Sequence, residues 1–550
     1  MTLRTRLALY FHTLRYLKPV QIWGRVAFRL RTPKPDLRPA PSPGALVAGW
    51  CAPVLREQCQ LAEGQFRFLN VEHEIASAED WNSHALDKLW LYNLHYFDDL
   101  NAKCAEARRS WHLKLLPRWI TENPPGVGVG WEPYPISLRV VNWIKWCLAG
   151  NEPSEAVRHS LAVQLRFLSR RLEVHLLGNH LFANAKALLF GGLFFEGSEA
   201  ERWYALGKRV MDRQLGEQIL ADGGHFERSP MYHSLLLEDL LDLFNLHCAC
   251  GKPVDASWRE TIAKMSTWLS TMTHPDGEIA FFNDAASGIA PKANELEDYA
   301  RRLGMQPSLP PSVRPGLLID SGYARIESGE AVILADVGSV GPDYLPGHAH
   351  AGTLSFELSL AGRRVLVNSG TSVYGNGAER QRQRGTAAHN TVRVDECDSS
   401  EVWSGFRVAR RARAFDVRYD GATLAGKHDG YGRLPGKPIH YRQWTTVGNG
   451  VQIVDELAGG GSHLVEVFFH FHPDWRPHFK GESACELASV DGSCRLLMHI
   501  EPRMEWRIEP STWHPQFGVS LPNFRLVGSQ RGELPLRFVT RLSWPCISCS

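Results

Sequence analysis

The 550-residue chain has no surplus of either charge: 61 Lys and Arg stand against 59 Asp and Glu, a formal net of +2. That balance argues neither for nor against a polyanionic partner, so any anion site has to be built locally from clustered Arg, Lys and His, and no nucleic-acid partner is expected. Disulfide rhythm is also missing. The 11 cysteines are odd in number and scattered, which suits reduced thiols in a large domain and excludes a stapled secreted module. The "CISC" of Cys546 and Cys549 is a single pair without the second pair a structural zinc site needs, and reads as a loose tail. No apolar run reaches the ~18 residues a spanning helix requires. The opening "MTLRTRLALYFHTLRYLKPV" is broken by His12 and Arg15 and has no small-residue cleavage site after it, so neither a signal peptide nor an integral membrane segment is expected. An amphipathic first helix is the plainer reading, and a helix resting on a membrane surface is the alternative. A constant repeat period is absent as well, which excludes arrays of the tetratricopeptide kind.

What is present is a change of period. The length is too great for one hydrophobic core and implies two or three domains. With 44% hydrophobic and 22% charged residues, the composition is that of a globular protein. Residues 135–303 carry apolar positions at helical spacing: "ISLRVVNWIKWCLAG" (136–150), "PSEAVRHSLAVQLRFLSRRLEVHLL" (153–177), "SPMYHSLLLEDLLDLFNLHCAC" (229–250) and "SWRETIAKMSTWLSTMTH" (257–274). Ser154 and Ser229 are N-cap candidates, the second followed by Pro230. Such helices joined by short loops predict antiparallel helix pairs. The proline-rich "GMQPSLPPSVRPG" (304–316) reads as a linker. Beyond it, runs such as "AVILADVGS", "TLSFELSLAG", "RRVLVNSG" and "NTVRVD" are short and β-like. The expectation is an α+β multidomain chain: an N-terminal helical extension over 1–80, a helical domain over 81–306, and an all-β domain over 317–550.

Four clusters hold chemistry-bearing side chains. Asn179 and His180 begin a helix in "HLLGNHLFANAKALLFGG"; an N-capping Asn is the ordinary alternative. "DGGHFERSPMYHSL" (222–235) brings His225, Glu227, Arg228, Tyr232 and His233 into a dozen residues, a density of titratable groups that favours a site over a half-buried helix start. In "GHAHAGTLSFEL" (347–358), His348 and His350 share the parity of Leu354, Phe356 and Leu358. On a strand they would project inward about 6–7 Å apart, and a polar pair on a buried face needs a reason. With Asn368 and His389 on neighbouring runs, they make a candidate divalent-metal set, against private hydrogen bonds in a polar core. Finally, Arg380, Arg382 and Arg384 of "GAERQRQRGTAAHN" share one parity. If extended, they form a cationic comb suited to carboxylate or sulfate; a solvated charged loop is the alternative.

Taken together, "LLGNHLFANAKAL", "DGGHFERSPMYHSLLLEDLLDL", "GHAHAGTLSFEL", "VNSGTSVYG" and "RGTAAHNTVRVD…SEVWSGFRVARRAR" resemble the heparinase II/III-like polysaccharide lyases. The resemblance covers about residues 85–475 and keeps the family's motif order. It implies an (α/α) toroid, an incomplete barrel of helical hairpins, followed by an antiparallel β-sandwich. It also implies a bacterial-type lyase that cleaves uronic-acid-containing polysaccharides by β-elimination at the cleft between the two, whether a glycosaminoglycan or an alginate-like polymer. By this resemblance Asn179 and His180 neutralise the uronate carboxylate, Tyr232 is acid and in some configurations also base, and His348 is the partner base. Arg380 and Arg384 are candidate anion contacts, and Trp131 and Tyr134 of "GWEPYP" candidate sugar-stacking residues. His350, Asn368 and His389 fall on the family's metal position, which implies one structural ion, Mn or Zn. Asn368 stands in "VNSGT" where relatives carry Asp, a weaker ligand than a carboxylate.

Two other functions remain open at this level. A carbohydrate-binding protein on the same scaffold would keep the aromatic and Arg lining without needing Tyr232 and His348. A hydrolase would need two carboxylates flanking the bond, for which Glu227 and Asp284 are present. The polymer, endo or exo action and the oligomeric state are not legible. Without a signal peptide, a cytoplasmic enzyme or one exported by another route is expected.

Overall fold

The structure is a computed structural model that describes residues 3–306, 314 and 316–545. The "CISC" tail lies outside the described residues, as does most of the proline-rich linker. Two helices, Leu3–Leu14 and Pro19–Leu30, open the chain. An extended segment follows, and then a small antiparallel sheet of Gln60–Ala62, Gln65–Phe68 and Val71–Glu74. The expected helical extension over 1–80 is therefore helical only in its first 30 residues. The rest turns at Glu63-Gly64 and buries Phe66 and Phe68 on one face, a period of two rather than 3.6.

The helical half is a succession of hairpins. Its main helices are Arg109–Glu122, Pro133–Leu148, Glu155–Ser169, Gly178–Phe194, Ser198–Gln218, Pro230–Ala249 and Ala256–Thr271. Both N-caps are made: Ser154 Oγ accepts the Val157 N–H at 3.3 Å, and Ser229 Oγ that of Tyr232 at 3.3 Å. The helices share one apolar core that includes Trp119, Trp143, Leu188 and Leu240. Trp131 belongs to this core. It is buried against Trp119 and Phe167, and its indole N–H donates to the Asn123 carbonyl at 3.1 Å. Its expected role in stacking a sugar is thereby corrected: the "GWEPYP" turn sends this ring inward.

The second half is antiparallel β throughout its named sheets. A five-stranded sheet runs from Leu317–Leu318 to Arg363–Leu366 in chain order. A four-stranded and an eight-stranded sheet follow, with a two-stranded ribbon of Val402–Trp403 and Arg407–Val408, and a common core with Ile333, Phe356, Trp444 and Phe469 joins the layers. The strand Phe356–Leu360 is buried along its whole length. Its alternation is real, but the polar face does not meet solvent. Glu357 accepts from His274 Nε2 at 2.9 Å and from the Phe281 N–H at 3.0 Å, and Ser359 Oγ meets His274 Nδ1 at 2.8 Å. The polar face is thus the seam with the helical half.

Candidate active site between the two halves

His348 and His350 do not sit on that strand. They lie in the loop before it, beyond a left-handed turn at Leu354 (φ 60°), so the inward parity argued from an unbroken strand does not apply. The loop is set by Asp284, from the helical half, which is fully buried. His348 Nδ1–H donates to Asp284 Oδ2 at 2.9 Å and His350 Nε2–H to Oδ1 at 2.8 Å. Arg380 donates to both oxygens, one bond measuring 2.7 Å. The Asp284 N–H donates to the His348 carbonyl at 3.0 Å, and the Asp284 carbonyl accepts from Ser229 Oγ at 2.6 Å. One residue thereby fixes the His348 imidazole, the His348 backbone and the N-cap of the helix that carries Tyr232. Burial alone would raise the Asp284 carboxyl, but Arg380 and the two imidazoles hold it well below the usual carboxylate range.

Around this anchor the cleft brings together most of the expected residues. Tyr232 lies on the first turn of its helix, its ring 4.1 Å from that of His348, and its hydroxyl is 2.9 Å from the Tyr374 hydroxyl. Burial pushes the Tyr232 phenol well above its ordinary value, which keeps it protonated. Because Asp284 takes the Nδ1 proton of His348, the lone pair of that ring falls on Nε2, which is 3.6 Å from Glu227 Oε2. Glu227 is buried, and Oε2 makes no hydrogen bond; burial raises its carboxyl above the usual range. Gly178 (φ 53°) permits this approach, since a Cβ there would stand 2.5 Å from Glu227 Oε1.

Asn179 follows in the first helical turn rather than at the N-cap, which is Leu177. His180 Nδ1 is 3.2 Å from Glu173 Oε1, and its ring lies 4.4 Å from that of Tyr134. Burial lowers the His180 imidazole, yet Glu173, and next Glu227, carry it above its ordinary value. Tyr134 thus stays at the site while Trp131 does not. Glu173 and Tyr374 were missed from the sequence, Asp284 entered only as half of a hydrolase pair, and Glu227 entered there and in the titratable cluster of 222–235. No local motif marks Asp284: "FFNDAAS" is a lone carboxylate in an apolar run.

The arginine comb is corrected. Residues Ala378–Arg384 form a helix, so Arg380 and Arg384 share a face at i and i+4 and Arg382 does not. Arg380 is the counter-ion of Asp284. Arg384 is buried and donates to the carbonyls of Ala349, Ser404, Gly405 and Arg407. Neither presents its guanidinium as a substrate contact. Arg382 is bound to Glu379 and Thr512 at the surface.

At the expected metal position, His350 and His389 rings lie 5.3 Å apart. His350 Nδ1 and His389 Nε2 are buried without hydrogen-bond partners. Asn368 Oδ1 is 3.2 Å from His389 Nδ1, so Asn368 acts as the partner that orients His389 rather than as a free ligand. Among the described residues no group of three or more His, Cys, Asp or Glu is placed to hold a metal.

Asp284→Asn is expected to leave Arg380 buried without a counter-charge and to cost about 3–5 kcal/mol of stability, read from denaturant midpoints. The sign with pH is fixed by the depressed Asp284 carboxyl. Its stabilisation is complete above the unfolded value of about 3.9 and lost as pH falls toward the folded value. The variant's stability is therefore expected to fall less steeply on acidification, and an equal slope would show that Asp284 is not the ionised anchor.

Comparison with known proteins places this geometry in a family. Residues 109–307 match the family described as heparinase II/III N-terminus, and 311–544 that described as heparinase II/III-like, C-terminal. The chain is similar to a heparin-sulfate lyase of Bacteroides stercoris, 28% identical over 40% of this chain and 36% of that one. It is also similar to a heparin-sulfate lyase of Pedobacter heparinus, 26% identical over 50% and 46%. A third relative, the FtsZ-localized protein C of Caulobacter vibrioides, is 28% identical over 62% and 60%. The chain spans about half the length of the curated relatives it matches. Among solved structures, a heparinase III is similar with a TM-score of 0.66 at 17% identity, covering 87% of this chain and 79% of that one. A mutant heparan sulfate lyase of Pedobacter heparinus gives 0.60 at 19%, covering 96% and 88%. These confirm the helical toroid followed by antiparallel sheets as the fold, and with the two family matches they establish that the chain belongs to the heparinase II/III family.

Proposed function

We propose that the chain is a polysaccharide lyase that cleaves uronate-containing glycans, of the glycosaminoglycan class, by β-elimination. The observation that carries this reading is the pairing of a buried, protonated tyrosine with an imidazole whose Nε2 is left basic by Asp284, side by side at one cleft. Elimination removes the uronate C5 proton, breaks the C4–O4 bond and leaves a C4=C5 double bond. His348 Nε2 takes the proton. The Tyr232 hydroxyl, held by Tyr374, donates to the departing O4. The charge that builds on the uronate carboxylate is met by Asn179, by His180, which Glu173 keeps protonated more readily, and by Glu227 in its neutral form. A hydrolase fits less well: Asp284 is spent on Arg380, His348 and His350 and has no oxygen left for a nucleophile or base. The incubation that tests the class is with a panel of uronate polymers, because only elimination creates an end that absorbs in the ultraviolet.

The substitution Tyr232→Phe removes one hydroxyl. Turnover is expected to fall by about 10²–10⁴ with the melting temperature nearly unchanged. Turnover close to native would remove Tyr232 from proton transfer.

Glu227 supplies a pH test. Its raised carboxyl means that the neutral form, present at lower pH, is lost as pH rises through the folded value. The Michaelis constant for a uronate polymer should therefore climb on the alkaline side for the native chain and stay flatter for Glu227→Gln, which is neutral at every pH. Parallel profiles would show that Glu227 does not face the carboxylate.

A divalent ion is proposed at His350 and His389. Burial keeps both imidazoles neutral, His350 lowered to about 4. Each turns one unpartnered nitrogen into the protein and has the other fixed by an oxygen, Asp284 or Asn368, the arrangement by which metal-binding histidines are oriented. When bound, the ion would pin the loop that carries His348. Addition of Mn²⁺ or Zn²⁺ to chelated protein is expected to raise the melting temperature, and His389→Ala to abolish the shift. A native preparation with full activity, no bound metal and no shift would leave the two histidines as core groups.

A further inference from the structure

The first 35 residues contain eight of the chain's Lys and Arg and none of its Asp or Glu, a local charge of +8 on a chain whose net is only +2. Within this stretch the two helices bury very little: Leu9 on the first, Gln21 and Gly24 on the second. Their other faces are apolar and open. Leu3, Leu7, Phe11 and Leu14 on the first helix, and Ile22, Trp23, Val26 and Leu30 on the second, are each 53–78% exposed. At 100° per residue the first four fall within one 80° stripe and the second four within 100°. Arg4, Arg6, Arg25 and Arg29 are exposed on the same two helices, and Arg15 in the turn between them.

We propose that residues 3–30 form a docking surface for an anionic phospholipid bilayer. The apolar stripes would enter the acyl boundary and the arginines would meet the lipid phosphates, in the manner of an interfacial amphipathic helix. Charge selects this occupant. A second copy of residues 3–30 would bring six more cations against the first six, whereas an anionic leaflet complements them. No helix among the described residues is long and apolar enough to span the membrane, so the contact is with one leaflet.

The inner side of these two helices determines what is brought to the lipid. Tyr10 packs on Trp403 at 4.9 Å, and the Trp403 indole donates to Thr13 Oγ1 at 3.1 Å. Gln21 Nε2 donates to the Tyr344 carbonyl at 3.0 Å, and Phe28 lies 4.3 Å from His175. These supports border the cleft: Phe406, three residues from Trp403, is 6.0 Å from His348, and Leu345, next to Tyr344, crowds Gly178. Docking therefore sets the cleft beside the bilayer, where a glycan still attached to a lipid or leaving the membrane would meet it. The inference does not depend on the lyase reading.

The test is cosedimentation of the full chain with vesicles of phosphatidylcholine, alone or with about 30% phosphatidylglycerol. Binding to the anionic vesicles is expected to be tighter by roughly tenfold or more and to weaken with salt. The double variant Phe11→Glu, Trp23→Glu should lose it, with melting temperature and basal turnover on soluble polymer unchanged, since both side chains are exposed. The triple variant Arg4→Gln, Arg25→Gln, Arg29→Gln should reduce the preference for the anionic vesicle. Equal partition to both vesicles, no partition, or native binding by the Glu variant would overturn the proposal. So would lipid-independent dimerisation that the Glu variant abolishes, which would assign the face to a second copy of the chain.

Discussion

Asp284 brings one negative charge into the interior, and donors from the β half meet it there: Arg380 with two N–H groups, His348, His350 and, at 3.4 Å, the Thr371 hydroxyl. A buried carboxylate is costly unless its charge is matched and its lone pairs are filled. Arg380 provides the matching charge and the two imidazoles fill the remaining directions with N–H groups. The arrangement holds only when the two halves of the chain are in register, because the carboxylate belongs to one and all these side-chain donors to the other. Glu357 and His274 repeat the logic in reverse, with the carboxylate on the β half and the imidazole on the helical half. Two buried polar anchors of opposite provenance thus join the halves, and Tyr232 and His348, the pair proposed to carry the elimination, span the same seam.

The electrostatics of the cleft follow from how little free cation it holds. Arg380 and Arg384, the residues best suited to an anionic polymer, are both consumed by structure. What stands in the cleft is one acid whose carboxyl burial raises, Glu227, a histidine biased toward its charged form by Glu173, and the amide of Asn179. On the proposed reading, such a site would meet a single carboxylate through protonation rather than through a fixed cationic field. This suits a reaction in which charge builds on the carboxylate during the step, because donors that act on developing charge favour the transition state over the bound ground state.

The large divisions were legible because they depend on local periodicity. The switch from helical to alternating spacing, and the caps at Ser154 and Ser229, are properties of short windows and were found there. The failures share one cause. Parity placed His348 and His350 on a strand because nothing in "GHAHAGTLSFEL" announces the left-handed Leu354 that separates loop from strand. Parity also made a comb of Arg380, Arg382 and Arg384, although seven residues of Ala378–Arg384 are helical and the same letters at a period of 3.6 give a different face. Trp131 was read from its type, and its environment depends on Trp119 and Phe167, far along the chain. Asp284 was out of reach as an anchor because every group that defines it comes from elsewhere: residues 229, 348, 350 and 380.

The pair of N-terminal helices belongs to neither half and touches both. Its Thr13 and Tyr10 engage Trp403 and Val408 of the β half, and its Phe28 and Gly24 lie against His175 of the helical half. Lys18 adds an ion pair to Glu217, which also accepts from the Tyr344 hydroxyl across the seam and from Gln214. A strap with these contacts stiffens the cleft only to the extent that it is itself held, and two helices of 12 residues each with so few buried side chains are weakly held by the protein alone. Whatever covers the outer apolar stripes adds to the ordering of the inner contacts, since both faces belong to the same short helices. The outer surface and the contacts that border the cleft are therefore carried by the same two short helices, and the state of the first bears on the second.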